Sequence, residues 1–172
     1  MKNRLFILPL LAMAISFCSM SPDKKSEAST PTTQTTDNSG VDKKITWLDF
    51  NAGYAKAKSE KKIALIDCYT DWCYWCKRLD KDTYTDLSVI ETVNKNFVAI
   101  KFNPEKTDIK YEIDGKSYSG MELLSILSNG QSSGYPTTFF IGTKGNNMLA
   151  PFEGYAGPAD FLKTLQEKVS QN

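Results

Sequence analysis

The run Ile63-Ala64-Leu65-Ile66-Asp67-Cys68-Tyr69 constrains this chain more than any other segment. It is apolar without a break except at Asp67, the pattern of a strand buried on both faces. Such a strand needs cover on both sides, which points to an α/β architecture. Trp72-Cys73-Tyr74-Trp75-Cys76 follows at once, and then a charged stretch that reads as helix. The two cysteines therefore fall where a strand turns into a helix. Unpaired backbone N–H groups and the helix dipole at that point favour a thiolate on Cys73. The thiolate is the nucleophile of disulfide exchange, and a Cys-x-x-Cys so placed can switch between dithiol and disulfide.

The remaining elements fit the same class. Ile45-Thr46-Trp47 reads as a short strand or docking segment, and Asn51 to Lys61 as a helix with Tyr54, Ala55 and Ala57 available for one buried face. Tyr74 to Asp82 and Leu87 to Asn94 read as helices, the second capped by Asp86. Phe97 to Phe102 is a strand ended by Asn103-Pro104, and 104–118 reads as a polar loop containing Gly115. Ser119-Gly120-Met121-Glu122 has the form of a capping box opening a helix to Ser128. Thr137–Ile141 and Met148–Phe152 read as paired strands joined by a turn at 143–146. Pro158 stands at the first position of a last helix, with Phe161, Leu162, Leu165 and Val169 on one face. Strand-helix units followed by a hairpin and a closing helix predict a central mixed sheet flanked by helices on both faces.

The ends carry a different message. Lys2 and Arg4 precede an almost wholly apolar Leu5–Phe17, too short to span a membrane and suited to a secretory signal peptide over 1–18. Cys18 closes that segment as a candidate lipidated cysteine of a bacterial lipoprotein; ordinary signal cleavage nearby is the alternative. Residues 19–44 are rich in Ser, Thr, Pro, Asp and Lys, which suits a disordered tether with a span of roughly 25–30 Å. The folded domain is then 45–172.

With Lys2 and Arg4 removed, the 21 basic and 20 acidic residues come to a net charge near −1. A balance so close to neutral gives no electrostatic footprint for nucleic acid and no polybasic patch for anionic lipid. There are 4 cysteines and no histidine. A Ser-His-Asp or Cys-His catalytic pair within the chain is excluded. Haem attachment through Cys-x-x-Cys-His is excluded too, because Lys77 follows Cys76. Zinc at Cys73 and Cys76 would need two more ligands, and no second cysteine pair exists.

The segment Ile66–Lys77, with Cys73-Tyr74-Trp75-Cys76 at its centre, resembles the active-site segment of the thioredoxin superfamily. Gly134-Tyr135-Pro136-Thr137-Thr138-Phe139-Phe140-Ile141 resembles the cis-proline loop of that superfamily and its following strand. The likeness runs from about Trp47 to Val169. It is strongest to secreted or periplasmic thioredoxin-like domains with aromatic residues in the motif, such as the C-terminal domain of the disulfide reductase DsbD. The resemblance implies a thioredoxin fold and thiol-disulfide exchange with cysteine-containing envelope proteins, and no cofactor or metal. It favours reduction, with oxidation or isomerisation left open, and a reductase without a membrane span of its own would need a membrane electron donor of the DsbD type.

Residue by residue, the resemblance makes Cys73 the attacking sulfur and Cys76 the resolving one, one helical turn later. Asp67 becomes a buried acid that accepts the Cys76 proton, and Lys101 its partner on the neighbouring strand. It makes Tyr135-Pro136 a cis bond against the sulfurs. Tyr74 and Trp75 depart from the Gly-Pro pair of ordinary thioredoxin and, with Trp72, read as an apolar contact rim for a partner, beside Tyr135 and Pro136. Taken on the residues alone, other readings stay open: an inert structural disulfide, an acid at a strand end reaching solvent, an outward-facing Lys101, a trans proline, and a non-catalytic binding module built on the aromatic rim. Cys68 points to the strand face opposite Asp67 and reads as a small core residue.

Overall fold

A computed structural model describes residues 43–131, 134–144 and 147–172. The segment 1–18 with Cys18 lies outside the described residues, as do all but Lys43 and Lys44 of 19–44 and part of the 143–146 turn.

The elements run β1 (Trp47–Leu48), α1 (Phe50–Glu60), β2 (Ile63–Cys68), α2 (Tyr74–Arg78), α3 (Leu87–Asn96), β3 (Phe97–Phe102), β4 (Tyr111–Ile113), β5 (Lys116–Tyr118), α4 (Gly120–Leu127), β6 (Thr137–Ile141), β7 (Met148–Glu153) and α5 (Pro158–Gln171). Five strands form one sheet in the order β1-β3-β2-β6-β7. The pairs β1/β3 and β2/β3 are parallel, and β2/β6 and β6/β7 antiparallel. The fold is the mixed α/β sheet of the thioredoxin class.

β2 lies at the centre and is buried at all six positions. Its alternating side chains divide the core in two. Ile63 and Leu65 pack on one face with Leu79, Tyr84, Ile90, Phe161 and Leu165. Ala64, Ile66 and Cys68 pack on the other with Phe50, Tyr54, Leu123 and Leu127. Asp67 has the parity of Ile63 and Leu65 and so points to the first face.

Several elements differ from the sequence reading. The helix expected over Tyr74–Asp82 is α-helical only to Arg78 and continues as a π-turn over Leu79–Thr83. There the Tyr84 N–H donates to the Leu79 carbonyl, and the Thr83 hydroxyl reaches the Ala156 carbonyl at 2.6 Å. The stretch read as a polar loop contains the hairpin β4/β5, with Asp114 and Gly115 both at positive φ (49° and 77°), as a tight hairpin turn requires. Ala55 is exposed, because α1 turns Phe50, Gly53, Tyr54 and Ala57 inward. Val169 is also exposed, because the inward stripe of α5 is Phe161, Leu165 and the stem of Lys168. Asp86 caps α3, and Ser119 and Glu122 form the capping box of α4.

Candidate active site

Cys73 is the N-cap of α2 and is disulfide-bonded to Cys76, with their Cα atoms 5.4 Å apart. The Cys76 N–H donates to the Cys73 sulfur at 3.1 Å, and the Cys73 N–H donates to the Thr70 carbonyl at 3.2 Å. The first sulfur is thus held where a helix start presents an N–H to it, a contact that strengthens as charge builds on sulfur.

Both cysteines are buried, at 4% and 3% exposure, whereas their neighbours Trp72, Tyr74 and Trp75 stand out at 66%, 62% and 50%. Each ring has a neighbour, Tyr74 meeting Trp75 edge-on at 5.3 Å. The Trp72 indole N–H donates to Glu105 at 3.0 Å, and its ring meets that of Tyr135 edge-on at 5.9 Å. Trp75 lies 5.4 Å from Tyr155, whose ring also carries the Arg78 guanidinium at 5.9 Å. The Tyr135–Pro136 peptide is cis. Trp75, Tyr135, Pro136, Gly154 and Tyr155 line a groove of about 340 Å³.

Asp67 is 1% exposed, and its Oδ2 lies 2.5 Å from the Lys101 ammonium. The two are register partners on parallel strands. Lys101 also contacts Asp80, one helical turn beyond Cys76, and so ties the buried acid to the helix that carries the resolving cysteine. Trp47, Tyr69 and Tyr84 surround the ammonium at 4.6, 5.2 and 5.4 Å from their ring centres. Burial raises the Asp67 carboxyl above the ordinary carboxylate range, against the pull of Lys101. Burial also works against the Lys101 charge, but the two carboxylates outweigh it and hold the ammonium more basic than usual.

The structure therefore brings Cys73, Cys76, Trp72, Tyr74, Trp75, Tyr135 and Pro136 to one end of the sheet, and pairs Asp67 with Lys101, which also reaches Asp80 four residues beyond Cys76. Cys68 is free, fully buried on the opposite face, and burial pushes its thiol far up. No group of three acids and cysteines able to hold a metal occurs among the described residues. Among them, too, no helix is long and apolar enough to cross a membrane.

Four residues at the site were not singled out from sequence. Asp80 had a usable signal, its spacing of four from Cys76. Glu105, Tyr155 and Tyr84 had none, because tertiary packing brings each to the site.

The model of the family Thioredox_DsbH, described as "Protein of unknown function, DUF255", matches residues 30–167. The chain belongs to this DsbH-like thioredoxin family. It is 29% identical over 113 residues to the thiol:disulfide interchange protein DsbD of Vibrio vulnificus, a match covering 65% of this chain and 17% of that protein. The chain thus spans only about a sixth of that relative's length. A putative disulphide-isomerase from Bacteroides thetaiotaomicron is 28% identical, with a TM-score of 0.55 over 74% of this chain and 93% of that one. The C-terminal domain of Neisseria meningitidis DsbD, in the oxidised form, shares the fold at 18% identity, with a TM-score of 0.51 over 70% of this chain and 98% of that one. The DsbH-like chain is a thioredoxin-fold protein of a disulfide oxidoreductase family, with a disulfide at Cys73-x-x-Cys76.

Proposed function

We propose that this DsbH-like chain is a thiol-disulfide oxidoreductase of the bacterial cell envelope that reduces disulfides in protein substrates. The observation that carries the reading is a disulfide at the N-cap of α2, with a buried carboxyl tied through Lys101 to Asp80 in the π-turn that continues that helix.

In the reduced form, the Cys73 thiolate attacks one sulfur of a substrate disulfide. A Cys73–substrate bond forms, the substrate S–S bond breaks, and its other sulfur leaves with the electron pair. The Asp67 carboxylate then takes the Cys76 proton. The Cys76 thiolate attacks the Cys73 sulfur and the mixed disulfide breaks. Two electrons have passed to the substrate, and the chain ends as the Cys73–Cys76 disulfide. A dithiol donor must restore the reduced pair, and the likeness to DsbD supports a membrane donor of that type. Trp72, Tyr74, Trp75, Tyr135 and Pro136 form the surface on which the substrate segment lies. The signal-like 1–18 supports an envelope location, with 19–44 as a tether, 45–172 as the domain and Cys18 as a lipid attachment point. No cofactor is needed for this chemistry.

Reduction of insulin by the full chain tests the reading. Cys73→Ser should abolish it, and Cys76→Ala should accumulate a mixed disulfide with the substrate. A reduction potential near about −270 mV supports a reductase, and one near about −120 mV an oxidase. Insulin reduction that survives Cys73→Ser overturns the proposal. A Cys73–Cys76 bond that resists dithiothreitol would instead make the aromatic rim the surface of a binding module.

A further inference from the structure

Asp67 lies in a row of three polar side chains across the centre of the sheet. Lys101 of β3 is its register partner on one side and Thr138 of β6 on the other. All three point to the face packed by Tyr84, Leu79 and Phe161. Lys101 occupies the Oδ2 of Asp67. Among the described residues, no hydrogen bond of ordinary length and angle reaches the Oδ1 of Asp67, the Thr138 hydroxyl or the Tyr84 hydroxyl. All three residues are more than nine-tenths buried, at 1%, 1% and 5% exposure.

Tyr84 follows the π-turn. Its ring is wedged edge-on between Trp47 at 4.8 Å and Phe161 at 5.5 Å, with the Lys101 ammonium 5.4 Å from its centre. Its hydroxyl faces both Asp67 and Thr138. A bare carboxylate oxygen in such a place is costly, and a hydroxyl can turn to donate or accept as needed.

We propose that Tyr84 is a positioning residue for Asp67, its hydroxyl acting with that of Thr138 as a rotating donor pair that turns onto the second carboxylate oxygen whenever Asp67 is charged. The inference rests on the exchange reaction above, in which Asp67 is the base. When Cys76 gives up its proton, Asp67 becomes the neutral acid, and one of the two hydroxyls can turn to accept from its single O–H. No proton leaves Tyr84: burial, reinforced by the Asp67 charge, keeps its phenol well above the ordinary range. The charged groups facing Asp67 are Lys101 and Asp80. Of these the ammonium favours its charge and Asp80 opposes it. Tyr84 adds to the favourable side and so keeps Asp67 in its charged, proton-accepting form over a wider range of pH.

The test uses the full oxidised chain with carboxyl-labelled aspartate, titrated by NMR. In Tyr84→Phe the proton affinity of Asp67 should rise about tenfold, the worth of one hydrogen bond to a charged group. Thr138→Val should shift it the same way, and carries the test should Tyr84→Phe fold poorly. With reduced protein and a peptide disulfide, the rising limb of the product-release rate should move to higher pH by the same amount, its plateau unchanged. An Asp67 titration identical in wild type and both folded variants overturns the proposal, whatever the exchange rate. An Asp67 titration that shifts in a chain showing no exchange at any pH upholds the coupling and sinks the exchange reading instead.

Discussion

The Lys101 ammonium sits 2.5 Å from the Asp67 carboxylate, and only the lysine reaches water: its side chain is 23% exposed and that of the aspartate 1%. The sheet explains the pairing. Asp67 and Lys101 are level on adjacent parallel strands and share a face, so neither needs an unusual backbone to meet the other.

That geometry predicts a pH-dependent gain from Asp67→Asn. Burial lifts the folded-state carboxyl above its unfolded value, so between the two values the folded chain holds a proton that the unfolded chain has released. The Asp67 contribution to stability is therefore complete below about pH 4 and is lost as pH rises through the folded value. Asp67→Asn should stabilise the oxidised chain at pH 7 by about 1–2 kcal/mol, Lys101 keeping Asp80, and should gain nothing below about pH 4. Urea titrations at several pH values measure this. A gain that persists at pH 3 contradicts it.

The aromatic rim should separate docking from chemistry. Trp72 and Trp75 are exposed rings supported by Tyr135 and Tyr155, set apart from the proton-handling groups beneath. Trp75→Ala is expected to lower kcat/KM for a protein disulfide by about tenfold, the value of one well-packed aromatic contact. The rate with a small disulfide such as oxidised glutathione should hold within about twofold. Equal losses on both substrates would place Trp75 in the chemistry rather than in the contact.

Much of this was legible in the chain because the decisive signals are local. An apolar run with one acid made β2 a doubly buried strand, and strand parity placed Asp67 and Cys68 on opposite faces. Asp86 and the Ser119–Glu122 box marked two helix starts. The hairpin β4/β5 was missed although Asp114-Gly115 is a turn signal, because its three-residue strands alternate too briefly to show a period. The π-turn was not legible at all. It is held by a contact between Thr83 and Ala156, 73 positions apart, and nothing within Tyr74–Asp82 encodes the extra residue. Glu105, Tyr84 and Tyr155 meet the site for the same reason, through packing between distant elements.

The π-turn itself should be sensitive to one hydroxyl. Thr83 is fully buried and donates to the Ala156 carbonyl at 2.6 Å, pinning the end of the active-site helix to the loop before α5. Thr83→Val keeps the shape, removes the donor and leaves a carbonyl unpaired. A loss of about 1–3 kcal/mol is expected from denaturant unfolding. Thr83→Ser should recover most of it, and a serine variant as weak as the valine would mean that the methyl group matters more than the hydrogen bond.

Cys68 should behave as core. It is free, fully buried, and its thiol is held far from ionisation by burial first and then by the nearby Asp67 charge. After reduction, iodoacetamide at pH 8 is expected to modify Cys73 while leaving Cys68 unmodified until denaturant is added. Peptide mass mapping reads both sites at once. Modification of Cys68 in the folded chain would show that β2 opens far more readily than its burial allows.

Gly120 should tolerate no side chain. It opens α4 against the loop after β3, where an added Cβ would lie 2.2 Å from the Pro104 carbonyl oxygen. The obstacle is backbone rather than a flexible tip, so the helix or the loop must move. That loop is also tied to the site: Asn103 accepts from the Glu105 N–H at 3.0 Å, and Glu105 holds the Trp72 indole. Gly120→Ala is therefore expected to lower stability by about 1–3 kcal/mol and to shift Trp72 fluorescence together with it. Substituting Glu105→Gln alone should alter the fluorescence without the stability loss, because it leaves the close backbone approach intact. A Gly120→Ala chain with an unchanged urea midpoint would mean that the loop yields freely and does not hold the rim in place.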